Sequence, residues 1–229
     1  MSEPIKELEI YFIRHAQSTG NAAPDAENVP FDEHHDPWLS EKGLAQADLL
    51  GKAFRDVKFD AFYSSAMRRT VSTSKGLVSY MNEKPVINLM PILSERGIPD
   101  TYPGQSIDEL KKIYPLLKVA EGFDENGTLI TQDKGVPDSV TLGRAKAVLD
   151  YLRERYWKGE KIAVVSHAAF LTYVIFYIFG IREVMPDFDT DIYNTGVTKI
   201  TFYKKGTNPY GDAVFSYIND TRHLNAVFD

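Results

Sequence analysis

The sequence predicts an α/β protein in which a central, mostly parallel sheet carries helices on both faces and ends in an antiparallel edge. Short segments rich in β-branched and aromatic residues alternate with amphipathic helical segments along the chain. Residues 161–166 form a nearly continuous apolar run, which is typical of a parallel strand covered on both faces. Residues 195–203 and 213–217 are predicted strands separated by a turn containing Gly, Pro and Asn, and we expect them to form the antiparallel edge.

Length, charge and composition limit the classes of function. The chain has 229 residues, which suits one α/β domain over residues 1–229, and no repeat or linker divides it. Acidic residues outnumber basic ones by 32 to 26, so the composition gives no reason to expect nucleic acid or an anionic membrane as a partner. The lack of cysteine excludes disulfides, zinc–thiolate sites and thiol nucleophiles.

Two segments bear on the location of the protein. The first six residues lack the apolar stretch of a signal peptide. Residues 168–179 are strongly apolar, but they are fewer than the roughly 20 residues that a membrane-spanning helix needs. We therefore predict a buried helix at 168–179 and a cytoplasmic protein.

The first predicted strand, residues 8–13, leads directly into a group of polar residues. This group comprises Arg14, His15, Gln17, Ser18 and Asn21. Ligands of open α/β sheets bind beyond the carboxyl ends of the strands, in the crevice between the loops that leave them. An arginine beside a histidine at this point favours an oxyanion that is held by a guanidinium group and attacked by an imidazole nitrogen.

A second strand repeats the pattern. The apolar run 161–166 ends at His167, and the predicted buried helix begins directly afterwards at Ala168. An isolated histidine at a strand end is more often a structural residue than a functional one. Because two strands each present a histidine at the same end, we expect His15 and His167 to converge on one anion.

The elements between these two strands follow from periodicity and turn residues. Helices are predicted at 41–57, 66–80, 106–117 and 141–157, and further strands at 59–63 and 85–89. The polar segment 22–36 is expected to be a loop, and the segment 98–138 is irregular apart from its helix. Both are expected to form lids around the site.

The helix predicted at 66–80 begins with two arginines, Arg68 and Arg69. Cations in a first helical turn oppose the helix dipole, and an anionic ligand at this end would relieve the conflict. We therefore consider both arginines as anion-binding candidates.

These segments together resemble the histidine phosphatase superfamily, also called phosphoglycerate mutase-like. Its signature is a strand followed by Arg-His-Gly-Glu/Gln-Ser/Thr with an Asn shortly after, and Ala16 stands here in place of the usual Gly. Leu39, Ser40, Gly43, Gln46 and Ala47 match a second motif, which we assign to a helix capped by Ser40. The Ser-x-x-x-Arg motif and its later Thr select Arg69 and Thr73, with Arg68 expected on the solvated surface. The acid motif Leu-x-Glu selects Glu95.

This resemblance implies a three-layer α/β sandwich and metal-independent hydrolysis of a phosphate monoester, without a cofactor, on a small-molecule substrate. His15 would be the nucleophile, Arg14 and Arg69 the forked donors, His167 a further donor, and Glu95 the acid that protonates the leaving group. The expected substrate-binding residues are Asn21, Gln17, Ser18, Arg96 and Ala168.

Several alternatives stay open at this stage. A phosphoglycerate mutase would carry a similar segment at 93–96, although the basic, aromatic substrate loop of mutases is not recognisable after it. A phospho-ligand-binding module without catalysis would need the arginines but not Glu95. The cluster 32–36, which contains His34 and His35, is interpreted as a solvated acidic loop rather than a metal site. His223 is assigned a structural role, and neither the phosphate ester nor the oligomeric state can be predicted.

Overall fold

The computed structural model describes residues 3–25, 27, 29–183 and 190–224, and within them seven strands form one mixed sheet in the order β4-β3-β2-β5-β1-β6-β7. The strands are β1 (Lys6–Arg14), β2 (Ala61–Ser64), β3 (Ile87–Leu89), β4 (Leu117–Val119), β5 (Glu160–Ser166), β6 (Val197–Tyr203) and β7 (Ala213–Asp220). The strands from β4 to β1 are mutually parallel, whereas β6 pairs antiparallel with β1 and β7 antiparallel with β6. The predicted antiparallel edge is confirmed.

The helices lie on both faces of this sheet. They are α1 (Thr19–Ala22), α2 (Phe31–His35), α3 (Glu41–Phe54), α4 (Arg68–Val78), α5 (Ile107–Ile113), α6 (Asp138–Arg155) and α7 (Ala168–Ile178), with 3-10 turns at Pro91–Leu93 and Arg222–Leu224. None of the helices in the described part of the chain is long and apolar enough to cross a membrane.

Alternate residues of the central strands enter two separate cores. Ile10 and Phe12 of β1 pack with residues of α6 and α7, whereas Tyr11 and Ile13 pack with residues of α3, α4 and α5. Successive side chains of a strand point to opposite faces, so a strand covered on both sides must be apolar at almost every position. The three-layer α/β arrangement is confirmed.

Two local predictions are wrong. The helix predicted at 106–117 ends at Ile113, and Leu117–Val119 is instead the edge strand β4 beside β3. The first predicted lid, 22–36, contains the short helix α2, and its residues 26 and 28 lie outside the described residues.

Candidate active site

The carboxyl ends of β1 and β5 bring the two predicted histidines together. The strands are paired in parallel with Arg14 opposite Ser166, and the N–H of His15 donates to the carbonyl of Ser166 at 2.9 Å. His15 and His167 follow directly, with their rings in an edge-to-face arrangement and the ring centroids 5.2 Å apart. Both residues are buried. The fold thus brings the two imidazoles together.

Hydrogen bonds on both ring nitrogens determine the protonation of His15. Nδ1 lies 2.7 Å from the carbonyl oxygen of Ala16, which can only accept, so Nδ1 carries the proton. Nε2 is therefore an acceptor, and the Nε–H of Arg69 donates to it at 3.2 Å. Burial, together with the charges of Arg69 and Arg14, holds the pKa of His15 well below its usual range. His15 is thus a neutral imidazole with its Nε2 lone pair facing Arg69.

Arg69 lies in the first turn of α4, and Asp36 orients its guanidinium group. Arg69 is buried, and its NH1 is 3.3 Å from Oδ1 of Asp36. Both carboxylate oxygens of Asp36 also accept the backbone N–H of Arg68, each at 2.9 Å. The carboxylate of Asp36 thus supplies part of the negative charge that is favoured beside the two arginines at the start of this helix. The sequence pattern alone attributes that negative charge to a ligand.

Arg68 has a different position from the one expected. Its side chain is 13% exposed, and its guanidinium carbon lies 4.9 Å from the centroid of the Trp38 ring. The prediction that Arg68 is solvated on the surface is wrong, because the indole of Trp38 covers it.

The side chain of Arg14 is fixed to the segment before β6. Its NH1 donates to the carbonyl of Ile192 at 2.5 Å, while its buried Nε has no hydrogen-bond partner among the described residues. Burial lowers the pKa of Arg14, and the nearby charges of Glu95 and Asp191 oppose this. An unpaired buried donor is costly unless a ligand or water satisfies it, so Arg14 is suited to bind an anion.

A serine at the end of β2 holds the second histidine. Nε2 of His167 is 2.9 Å from the hydroxyl oxygen of Ser65, and its buried Nδ1 has no hydrogen-bond partner in the described part of the chain. Burial and the charge of Arg69 hold the pKa of His167 well below its usual range. Sequence reasoning did not assign Ser65, although it is the serine of the Ser-x-x-x-Arg motif that selected Arg69.

Glu95 lies near the start of α7. Its Oε1 accepts two backbone N–H groups, from Arg96 at 2.9 Å and from Phe170 at 3.3 Å. Burial raises the pKa of Glu95, although the charges of Arg69 and Arg14 and both N–H groups act in the opposite direction. The carboxyl therefore keeps its proton to a higher pH than an exposed glutamate does.

Two carboxylates of the second predicted lid, those of Asp133 and Asp138, contact the segment Glu95–Ile98, which we call the acid loop. Oδ1 of Asp133 accepts the N–H of Gly97 at 2.7 Å, and its Oδ2 lies 3.3 Å from NH2 of Arg144. The guanidinium carbon of Arg144 is in turn 4.4 Å from the centroid of the Phe170 ring. This pair is almost completely buried, and sequence reasoning identified neither of its members.

The second ion pair of the acid loop joins the side chain of Arg96 to Asp138 at 2.5 Å. The hydroxyl of Tyr173 donates to the same oxygen at 2.6 Å. This pair is far more exposed than the first, with side chains 36% and 39% accessible. The guanidinium group of Arg96 is thus directed to Asp138, and only its backbone N–H contacts Glu95.

The remaining residues predicted to bind substrate follow the ends of β1 and β5. Ser18 caps α1: its hydroxyl accepts the N–H of Asn21, and its own N–H donates to Oδ1 of Asn21, each at 3.2 Å. The side-chain Oε1 of Gln17 accepts the hydroxyl of Ser40 at 2.8 Å. Ala168 is the first residue of α7, so its N–H is one that a helix leaves without an intrahelical partner.

The second motif positions the backbone at Gln17. The N–H of Gln17 donates to Oε1 of Gln46 at 2.8 Å, and its carbonyl accepts the N–H of Ser40 at 2.9 Å. A Cβ on Gly43 would lie 1.9 Å from the carbonyl oxygen of Gln17, so only glycine permits this approach of α3. The methyl group of Ala16 packs with Leu39 and Ala47.

Rings from the two predicted lids meet beside Arg69. The ring centroid of His35 lies 4.6 Å from that of Phe31 and 5.5 Å from that of Tyr102. His34 packs against His35, and the described residues contain no group of three or more His, Asp or Glu side chains that could hold a metal ion. Nε2 of His223 lies 2.9 Å from the hydroxyl of Thr195, whose backbone N–H contacts the carbonyl of Arg14 at 3.1 Å.

Comparison with known proteins identifies the family. Residues 10–209 match the model of the histidine phosphatase superfamily, branch 1. The chain belongs to this superfamily. It is therefore an enzyme of the phosphatase class, and mutases are also among its relatives.

Two relatives and one solved structure of the same fold are similar to this chain. Phosphoserine phosphatase 1 of Hydrogenobacter thermophilus is 26% identical over 160 residues, which is 70% of this chain and 71% of that protein. The 2,3-bisphosphoglycerate-dependent phosphoglycerate mutase of Bartonella henselae is 32% identical over 109 residues, covering 46% of this chain and 50% of the mutase. The crystal structure of phosphoserine phosphatase from Entamoeba histolytica with 3-phosphoglyceric acid superposes with a TM-score of 0.62 at 23% identity, covering 95% and 99% of the two chains.

Proposed function

We propose that this protein is a metal-independent phosphatase that hydrolyses a small phosphate monoester through a phosphohistidine intermediate on His15. One observation carries the proposal: a neutral buried imidazole has its Nε2 lone pair 3.2 Å from a guanidinium N–H and its ring 5.2 Å from a second imidazole. A phosphoryl group entering between them would meet a nucleophile and donors together.

His15 is the proposed nucleophile, acting through Nε2. Because its pKa is lowered, the imidazole is unprotonated at neutral pH and needs no base to activate it. The hydrogen bond from Nδ1 to Ala16 fixes the ring and disperses the positive charge that forms when Nε2 binds phosphorus. In the bound state the Nε–H of Arg69 would move from Nε2 to a phosphate oxygen.

Arg14, Arg69 and His167 are the proposed donors to the phosphoryl oxygens. Each guanidinium group can bind two oxygens, and Arg14 has a buried Nε that is still unpaired among the described residues. His167 can present Nδ1–H when the Ser65 hydroxyl donates to its Nε2. Asn21, Gln17, Ser18 and the N–H of Ala168 would complete the binding of the anion.

Glu95 is the proposed acid and base. In the first step the Nε2–P bond forms, the P–O bond to the leaving group breaks, and the proton of Glu95 passes to the leaving oxygen. In the second step the oxygen of a water molecule binds phosphorus, the Nε2–P bond breaks, and a water proton returns to Glu95. The raised pKa of Glu95 favours the protonated form that the first step requires.

A phosphoglycerate mutase is the second candidate, because a mutase is 32% identical to this chain over 109 residues. That enzyme class returns the phosphoryl group to its substrate instead of to water. Against a mutase, residues 97–99 are Gly-Ile-Pro, and the side chain of Arg96 is paired with Asp138. The named phosphatase relatives act on phosphoserine, so an alkyl ester of similar size is the first substrate to test.

The proposal is tested by measuring phosphate release from phosphoserine, 3-phosphoglycerate, sugar phosphates and p-nitrophenyl phosphate, with and without EDTA. We expect His15→Ala to lose roughly 10⁴-fold or more in kcat/KM, His34→Ala to keep activity as the control for a histidine outside the site, and EDTA to have no effect. Acid-labile label from a ³²P ester should appear on the wild type and not on His15→Ala.

Other results would favour the alternatives. Isomerisation of 3-phosphoglycerate that requires a bisphosphate primer, without net phosphate release, would support the mutase. Binding of the esters without turnover would support a non-catalytic module. Full activity of His15→Ala would overturn the proposal.

The role of Glu95 has a separate test. Glu95→Gln should slow alkyl esters more than p-nitrophenyl phosphate, because nitrophenolate leaves without needing a proton. Equal slowing of both esters would contradict an acid role for Glu95 while leaving the proposed nucleophile in place.

A cytoplasmic location and a single domain over residues 1–229 stay predictions.

A further inference from the structure

Asn194 lies beside the carboxyl end of β1, although it is 179 residues away from His15 in the sequence. Its position is fixed from two sides. The neighbouring Tyr193 donates its N–H to Oδ1 of Asn219 at 2.8 Å, and Nδ2 of Asn219 donates to the carbonyl of Asp191 at 2.7 Å. A Cβ on Gly196 would lie 2.1 Å from Oδ1 of Asn219, so this close approach requires a glycine.

The side-chain amide of Asn194 joins two parts of the proposed phosphate site. Its Nδ2 donates to the carbonyl oxygen of His15 at 3.1 Å and to Oδ1 of Asn21 at 3.2 Å. The same Oδ1 of Asn21 accepts the backbone N–H of Ser18 at 3.2 Å. One amide group thus contacts both the nucleophile residue and a residue predicted to bind the anion.

The orientation of both amides follows from the backbone atoms that they face. The N–H of Ser18 can only donate, so the atom of Asn21 opposite it must be the oxygen. The carbonyl of His15 can only accept, so the atom of Asn194 opposite it must be the nitrogen. Two hydrogen bonds then occupy Oδ1 of Asn21, and its Nδ2 hydrogens are what Asn21 can offer to a phosphate oxygen.

We infer that Asn194 is a positioning residue that fixes the Asn21 amide with its N–H groups, and not its carbonyl, presented to the phosphoryl group. This inference depends on the proposed function, because it assumes that an anion binds at His15. A turned amide would place a carbonyl oxygen against the phosphate oxygens and replace an attraction by a repulsion. Neither the predicted substrate-binding residues nor the family motifs in the sequence include Asn194.

The test compares the losses in kcat/KM that two substitutions of Asn194 cause. If Asn194 positions the Asn21 amide, Asn194→Asp should lose more than Asn194→Ala, and without that role the order should be reversed. Asn194→Ala removes the contact and leaves Asn21 held by Ser18 alone. Asn194→Asp keeps the shape but directs a carboxylate oxygen at Oδ1 of Asn21, which drives that amide to turn. We expect losses in kcat/KM of about 3- to 10-fold for Asn194→Ala and about 30- to 100-fold for Asn194→Asp, with a parallel rise in the inhibition constant of inorganic phosphate.

The negative charge that Asn194→Asp introduces could also repel the substrate directly, and the Asn21→Ala background separates the two effects. If Asn194 acts through Asn21, Asn194→Asp should cost less than about threefold in Asn21→Ala. The carbonyl of His15 would still accept the N–H of Thr195 at 3.3 Å, so the backbone keeps a partner. An unchanged cost in this background, or a greater loss for Asn194→Ala than for Asn194→Asp, would overturn the inference.

Folding and the proposed function need their own controls. Thermal unfolding identifies any variant that does not fold. If Asn194→Asp fails this check, the Asn194→Ala cycle decides, because its cost should also disappear in Asn21→Ala. A His15→Ala protein without activity, combined with additive Asn194 and Asn21 losses, would refute the positioning role alone. An active His15→Ala protein would refute the proposed function itself.

Discussion

The strand-end group, which comprises Arg14, His15, Arg69 and His167, and the acid loop are held in different ways. His15 and His167 are positioned by the pairing of β1 with β5, in which the backbone of His15 continues the ladder to Ser166. The acid loop follows a single 3-10 turn and lies outside the sheet. The segment 133–144 holds it through backbone hydrogen bonds to the carbonyl of Ile98 and through the pairs Asp133–Arg144 and Arg96–Asp138. The proposed nucleophile is therefore positioned by the sheet, whereas the loop that carries the proposed acid is held by contacts with a distant segment of the chain.

Under the proposed function, this difference separates two tasks within one site. The strand-end group, which would bind the phosphoryl moiety, can be rigid, because every phosphate monoester presents the same three oxygens. The proposed acid, Glu95, would have to match the leaving group, which varies between substrates. Ion pairs from the second predicted lid allow this part to change without disturbing the sheet.

The largest expected effect is on the acid loop, through its buried ion pair. Arg144→Met should lower the free energy of unfolding by about 3–5 kcal/mol, because it leaves the buried carboxylate of Asp133 without its cation. The more exposed pair, Arg96–Asp138, provides the control. Arg96→Met should lower the free energy of unfolding by about 1 kcal/mol or less. Urea unfolding of both variants measures the difference, and equal losses would show that burial does not distinguish the two pairs.

The strand-end group is tested next by a substitution that keeps the charge. Arg69→Lys should lower kcat/KM by about 10²- to 10³-fold, because one ammonium cannot replace the fork that contacts His15 and Asp36 together. Arg68→Lys should cost less than about threefold, because Asp36 accepts hydrogen bonds from the backbone N–H of Arg68 and its side chain lies no closer than 4.0 Å to that carboxylate. Similar losses in kcat/KM for the two variants would mean that phosphate binding depends on the total positive charge at this helix end and not on Arg69 in particular.

A smaller effect within the strand-end group concerns His167. Ser65→Ala removes the hydroxyl that contacts its Nε2 and should slow kcat about tenfold, since the loss of one buried hydrogen-bond partner costs about 1–3 kcal/mol. Ser65→Thr keeps a hydroxyl and should retain more activity than Ser65→Ala. The comparison of kcat for the two variants decides, and equal rates would show that the hydroxyl is not needed.

The difference between local and long-range contacts also explains which residues of the site could be predicted from the sequence. His15 and His167 could be proposed as site residues because each directly follows a strand, so a local pattern carries the information. The start of the following helix offered both Arg68 and Arg69, and only the family motif selected Arg69. Asp36 could not be identified in this way, since it acts on Arg69 from 33 residues away. Asp133, Arg144 and Asn194 were missed for the same reason, because their partners become neighbours only in the folded chain.

The errors in secondary structure have a related cause. Helix α2 has five residues, too few to be stable alone, and its Phe31 and His35 rings pack near Tyr102 from the other lid. Strand β4 has three residues, and a short apolar run cannot be distinguished from the end of a helix by periodicity. Tertiary contacts therefore determine the secondary structure of both segments.

The smallest expected effect tests whether the folded state favours the protonated form of the Glu95 carboxyl. The pKa of Glu95 is raised by burial, so the folded protein binds the proton more tightly than the unfolded chain does. The stabilisation from this proton is complete below the ordinary pKa of glutamate, and it is lost as pH rises through the folded pKa. Glu95→Gln, which stays neutral, should therefore match the wild type at pH 4 and unfold at a higher temperature at pH 8. The gain should be small, because the charges of Arg69 and Arg14 and two backbone N–H groups oppose the effect of burial on this pKa. A lower unfolding temperature at pH 8 would show that Arg69 and Arg14 hold the carboxylate ionised, and Glu95 would then be unsuited to donate a proton.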